Sequence, residues 1–322
     1  MKVVPAFLAS LFIFVSIGYS QPSWVTRSIG DADLVAVYFL SANRGFVAGD
    51  DGFLASSTDG GKTWSKASLR TDETINEIYF RNDNNGYLVA GRLMFITRDG
   101  GRSWQETRIF RAADFAGTSP EFNSIRFANK NNGYVIGSVI KRSGSEEVVV
   151  DSLLMVTADG GDTWSRVPLP TRSELFHLHF EGDSRGWIVG DKGVILGSTD
   201  GGSSWSIQRT NVTRTLFSID FANEKLGVAV GGGGTILRTE DGGNSWQPAA
   251  SANTYTLKRV SFADDKTVWA VGHSGVILRS SNRGLTWEPQ TSGTRADLYG
   301  LFMSKKFGGA VGEKGTVVTF QR

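Results

Sequence analysis

The 322-residue sequence contains no cysteine, which excludes disulfides, thiolate metal sites and cysteine nucleophiles. Proline is scarce at seven residues and histidine at three, so a histidine-rich metal centre is not expected. Neither sign of charge prevails. Lys and Arg number 34 against 32 Asp and Glu, and bulk attraction to nucleic acid is therefore not expected. Beyond the N-terminus no run approaches the roughly 20 apolar residues of a bilayer-crossing helix, so an integral membrane protein is not expected either. Glycine, by contrast, is abundant at 40 residues, and 11% of the chain is aromatic. That pairing suggests many short strands joined by tight turns.

Residues 1–20 differ from the rest. Lys2 precedes an apolar run from Val3 to Tyr19, and Gly18 and Ser20 stand at −3 and −1 of a cleavage point before Gln21. This is the layout of a secretory signal, and it implies export, periplasmic or secreted. The mature chain, 21–322, is expected to be one domain and a monomer.

A repeat organises that domain. Ser/Thr-x-Asp-x-Gly-x-Thr/Ser-Trp occurs with Asp59 and Trp64, Asp99 and Trp104, Asp159 and Trp164, Asp200 and Trp205, and Asp241 and Trp246. A sixth copy has Asn282 in place of Asp, with Trp287. The tryptophans are spaced by 40, 60, 41, 41 and 41 residues. About 41 residues hold four short strands, the size of a propeller blade. After Trp287 come three more strands and no motif, while Ser23-Trp24 repeats the motif's end. The expected fold is therefore all-β, a seven-bladed β-propeller with four antiparallel strands per blade. Its N-terminal strand, Val25 to Ser28, completes the last blade beside Gly315 to Phe320 and removes the open sheet edge. The motif residues read as structural: glycines for positive φ, Asp as an acceptor across the turn, and Trp as core.

The motif is the Asp-box, or bacterial neuraminidase repeat. The denser series Phe180, Gly186 to Gly190, Gly193 to Leu196 and Ser198 to Trp205 resembles the photosystem II stability and assembly factor family. The resemblance covers nearly the whole mature chain. It implies a seven-bladed propeller on the lumenal or periplasmic side that binds assembly intermediates of a membrane complex, with a protein or peptide partner such as a subunit of that complex.

An enzyme reading has weaker support. No arginine triad of the sialidase kind is evident, and the candidate carboxylates for a glycosidase pair are Asp50, Asp51, Asp191, Glu313 and Asp220. His177 and His179 share a strand face, but His273 lies on another blade, so no metal or cofactor is expected. A structural surface or adhesion module is the remaining alternative. The binding reading rests on blade three, which exceeds the period by 19 residues, inserted at 106–121 and 138–150. Both insertions are expected as loops on the face opposite the Asp-boxes, with Arg126 near that mouth of the channel. A mildly basic face is expected there, and Arg126, Lys141, Arg142, His177, His179, Lys192 and Arg259 are the candidate partner-binding residues.

Overall fold

The computed structural model describes residues 23–67, 69–144 and 146–321. The expected signal segment lies outside the described residues. Seven four-stranded antiparallel sheets form the ring. Blade one holds Leu34–Phe39, Gly45–Gly49, Leu54–Ser57 and Ser65–Ala67, from the channel outwards. Blade seven holds Leu298–Met303, Phe307–Gly312 and Thr316–Gln321, and its outermost strand is Ser23–Ser28. Trp24 pairs with Phe320 and Ser28 with Thr316, so the first strand does close the last blade.

The core lies between blades. Each apolar cluster joins the second and third strands of one blade to those of its neighbour, as where Phe46, Leu54, Leu88 and Phe95 meet. Trp246 and Trp287 are buried, while Trp64, Trp104, Trp164 and Trp205 are half-buried against these clusters.

The Asp-box turns share one construction. In blade one the Ser57 hydroxyl donates to Asp59 at 2.9 Å and accepts the Gly61 N–H at 2.8 Å. Asp59 also accepts the Thr63 N–H at 2.9 Å and the Thr63 hydroxyl at 2.6 Å. Gly60 and Gly61 have φ of 78° and 81°, a region that L side chains rarely adopt. Gly60 N–H also donates to Asn43 O, which ties the Asp-box to the turn between strands one and two on the same face. The turns between strands two and three, and the segments that lead to the next blade, lie on the other face.

Blade three is raised on that other face. Its first three strands are Ser119–Phe127, Gly133–Ser143 and Glu146–Thr157. The second insertion is therefore not a loop but an extension of the central hairpin, with Arg142 opposite Glu147 near its tip. The first is not free surface either. It contains a short 3-10 turn, Ala112–Phe115, and buries Ile109 and Phe115 against Phe122, Val139 and Leu153.

A sealed channel and its mouth

The innermost strand of every blade carries a bulge, after its first residue in six blades, as between Leu34 and Ala36, Ile75 and Glu77, and Leu175 and His177, and between Phe122 and Ser124 in the longer strand of blade three. The extra residue turns towards the channel mouth on the face opposite the Asp-boxes. There Val35, Asn76, Asn123, Phe176, Phe217, Lys258 and Tyr299 line a cavity of about 330 Å³ with Asp33 and Asp50. Phe176 and Phe217 lie with ring centroids 5.3 Å apart. The Lys258 ammonium sits 3.9 Å from the Phe217 ring centroid, and burial lowers its pKa.

Below the mouth, the channel is sealed by charge. Glu77 is 2% exposed and takes Arg126 at 2.9 Å, the Ser124 hydroxyl at 2.6 Å, the Ile125 N–H at 2.9 Å and the Arg259 guanidinium. Burial pushes its pKa up, but Arg126 and Arg259 override this and hold it well below the carboxylate range. His177 accepts the Ile219 N–H on Nδ1 at 3.3 Å, and its Nε2 lies 3.0 Å from the Arg126 guanidinium and 3.5 Å from Glu77. Burial and then Arg259 push its pKa down to about 3, so the ring is neutral at physiological pH.

These polar side chains have a common cause. Each innermost strand is a sheet edge, and its unpaired backbone groups face the channel. Side chains of the preceding blade satisfy them. Asn76 donates to Phe122 O at 2.8 Å, Asn123 to Leu175 O at 2.9 Å, and Tyr38 to Phe80 O at 3.1 Å. Asp220 accepts the Phe262 N–H at 2.7 Å and pairs with His179 Nδ1 at 2.8 Å. Burial lowers the His179 pKa, but the bond to Asp220 reverses this and raises it.

The structure therefore brings Arg126, His177 and Arg259 together around Glu77, and separates them from the others. Arg126 is not near the inserted segments: it is the penultimate residue of its strand, towards the Asp-box face, and reaches back to Glu77. His179 lies on that side too. Lys141 and Arg142 are exposed on the hairpin of blade three, where Arg142 pairs with Glu147 at 2.5 Å. Lys192 projects from a turn of blade four at φ 56°. The face they share is not simply basic. Burial, and then Glu147, raise the pKa of Glu121, and burial with Glu121 and Asp191 raises that of Glu174. Tyr299 is raised by burial and by Glu313, Asp297 and Asp33. Sequence reasoning missed Phe176, Phe217 and Tyr299, which aligning the seven innermost strands on their second residue would have singled out.

Four of the five carboxylates considered for glycoside cleavage, all but Asp51, carry structural bonds. Asp50 accepts the Thr74 hydroxyl at 2.8 Å, Asp191 the Thr215 hydroxyl at 2.7 Å, and Glu313 the Asp297 N–H at 3.0 Å. Among the described residues no group of three His, Asp or Glu side chains is placed to hold a metal ion. Nor is any helix among them long and apolar enough to cross a membrane.

A search of curated proteins finds no match. Solved structures share the fold. A structure of YCF48 bound to D1 peptide is 18% identical, covers 94% of this chain and 96% of its own, and has a TM-score of 0.75. YCF48 from Cyanidioschyzon merolae is 19% identical over 92% of this chain and 98% of its own, with a TM-score of 0.72. Virginiamycin B lyase from Staphylococcus aureus reaches a TM-score of 0.73 at 11% identity, over 93% of this chain and 100% of its own, so the fold alone does not select an activity. The family model is decisive: that of the photosynthesis system II assembly factor YCF48 matches residues 62–174, 162–249 and 204–287, most of the propeller, and the chain belongs to that family.

Proposed function

We propose that this chain is an exported, non-enzymatic assembly factor that holds an extended peptide of a protein partner against the face opposite the Asp-boxes. The observation that carries the reading is the mouth cavity of about 330 Å³ overlooked by the raised hairpin of blade three. The cavity has aromatic walls and both signs of charge, which suits a peptide with apolar and charged side chains. The seal at Glu77 gives the cavity a floor, so the peptide lies over the channel and does not thread it. Lys141, Arg142 and Lys192 supply outer contacts. Arg259 forms part of the cavity lining, and Arg126 and His177 act behind it, by fixing Glu77 and Arg259 in place. Because the similar YCF48 structure is of a complex with D1 peptide, that peptide is the natural probe.

Fluorescence anisotropy with a labelled D1 peptide tests the reading. Replacing residues 141–148 by a two-residue turn should leave the unfolding midpoint nearly unchanged, because closure terms vary slowly with length. It should weaken binding, as should charge reversal at Lys141, Arg142 and Lys192, the latter less so in high salt. Wild-type affinity in both variants would remove this face from the binding site. Export is tested separately by fractionating cells that express the chain with and without residues 1–20.

A further inference from the structure

Four of the seven blade boundaries share one aliphatic plug, and three depart from the pattern. Five residues after each closing tryptophan, the segment leading to the next blade passes that blade's third strand and its tryptophan. Ile29, Leu69, Ile109 and Leu169 stand at this position and pack into the boundary clusters. Leu69 shares its cluster with Leu93, Phe95 and Trp104, and Leu169 with Val194, Leu196 and Trp205. Between blades four and five, Thr210 replaces the aliphatic residue. Its hydroxyl donates to Gly193 O at 3.0 Å, and Val212 packs instead. Between blades six and seven, Ser292 is buried and donates to Thr294 O at 3.1 Å.

Between blades five and six the position is Ser251, with Ala249, Ala250 and Ala252 beside it. Val276, Leu278 and Trp287 correspond there to Leu93, Phe95 and Trp104. There the short Ala249 packs on the cluster, Val276 is left half-exposed, and Val276 with the buried Leu278 and Trp287 lines a cavity of about 740 Å³ between residues 251–255 and the outer strands of blade six. At its rim Tyr255 is 52% exposed, and Arg295 is exposed with no ion pair among the described residues.

We propose that this groove docks an extended segment of a protein partner that carries a leucine or isoleucine. The aliphatic side chain seats on Val276, Leu278 and Trp287, and an acidic neighbour in the segment meets Arg295. The argument for the occupant is internal to the molecule. At four other boundaries the same surface is covered by a leucine or isoleucine delivered on a segment of this chain, so its shape is that of a peptide-borne aliphatic group. The partner supplies the plug that the sequence omits. Docking is by side-chain insertion and not by strand addition, because Pro289 in the outer strand Glu288–Gln290 has no N–H to offer. The groove is separate from the channel mouth and the hairpin, so its test does not depend on theirs.

The probe is a synthetic peptide of residues 65–74, which contains Leu69, Asp72 and Glu73. Methyl NMR of the full propeller should show saturable shifts at Val276 and Leu278. A Leu69→Ala peptide should bind at least about tenfold more weakly, since one buried aliphatic side chain is worth that much. Ser251→Leu should fill the groove from within, keep or raise Tm, and abolish the shifts. Arg295→Glu, a surface change that leaves packing untouched, should weaken binding in a salt-dependent way, while the shortened hairpin should bind normally. Absence of saturable shifts, equal binding of the alanine peptide, or full binding by the Ser251→Leu protein would each overturn the proposal. So would a wild-type dimer that Ser251→Leu converts to monomer in sedimentation, since a second copy would then be the occupant.

Discussion

Asp59 and Glu77 are both carboxylates held ionised, one on the rim of the propeller and one at its centre. Asp59 is half-buried at the surface, and the Thr63 hydroxyl and N–H, then the Ser57 hydroxyl, take it below the usual carboxylate range. Every donor lies within four residues of it. Glu77 is buried, and its partners come from blades three, four and six. The rim carboxylate is stabilised by its own turn, and the device occurs in five turns, with Asn282 in the sixth. The central one is stabilised only when the ring is closed, and exists once. The difference predicts how each responds to substitution.

The largest effect is expected at Glu77. Glu77→Gln keeps the shape and removes the charge, which leaves Arg126 and Arg259 together without their counter-ion. Breaking a buried pair by removing one partner costs about 3–5 kcal/mol, and urea unfolding should show a loss of that order. A loss under about 1 kcal/mol would mean that the arginines are hydrated from the channel and that the seal is open.

This contrast also sets what could be read from the sequence. The Asp-box is a string of near neighbours, so its six copies, the blade length and the split seventh blade were all legible before any coordinates. Trp24 opposite Phe320 follows from that reading. The hub was not legible, because Glu77, Arg126, His177 and Arg259 are brought together by ring closure across up to 182 residues. The bulge in each innermost strand defeated a period-two reading, and so the mouth residues Phe176, Phe217 and Tyr299 went unnoticed. The insertions were located correctly, but their length alone could not tell a loop from a longer hairpin.

A smaller effect, in pH dependence, should come from His177. Its pKa is about 3 in the folded chain, against roughly 6.5 unfolded. Between those values the unfolded state binds a proton that the folded state refuses, so stability falls as pH falls, by at most about 1.4 kcal/mol per pH unit. His179 has the opposite sign. Its raised pKa adds stability below the unfolded value, which is lost as pH rises through the folded one. The groups facing His177 are Glu77, Arg126, Arg259 and the Ser218 hydroxyl, and of these only Glu77 titrates in the acid range, below about 4.5. Between pH 6.5 and 4.5 His179 is protonated in both states and adds no slope, so of the two histidines only His177 makes stability fall with pH there. His177→Gln should flatten the downward slope of urea midpoint with acid in that window, and an unchanged slope would mean that the ring is already protonated in the folded protein.

The smallest effect belongs to the rim, and the molecule already contains the experiment. In the sixth turn Asn282 accepts the Ser280 hydroxyl at 2.8 Å and the Thr286 N–H at 3.0 Å through Oδ1. Its Nδ2 donates to the Thr286 hydroxyl at 2.8 Å, where Asp59 would accept from the matching threonine. The hydroxyl exchanges roles, and only the Lys62 N–H bond to Asp59 lacks a side-chain counterpart, since the Leu285 N–H turns to the backbone O of Asn282. Asp59→Asn should therefore shift the urea midpoint far less than Asp59→Ala, which leaves the Lys62 and Thr63 N–H groups and the Ser57 hydroxyl without their acceptor. Asp59→Asn should also remove one contribution to acid sensitivity. The folded pKa of Asp59 is depressed, so its stabilisation is present above the unfolded value near 4 and lost as pH falls below it. If Asp59→Asn proves as costly as Asp59→Ala at neutral pH, the charge itself holds the turn, and Asn282 must be supported by something blade six has and blade one lacks.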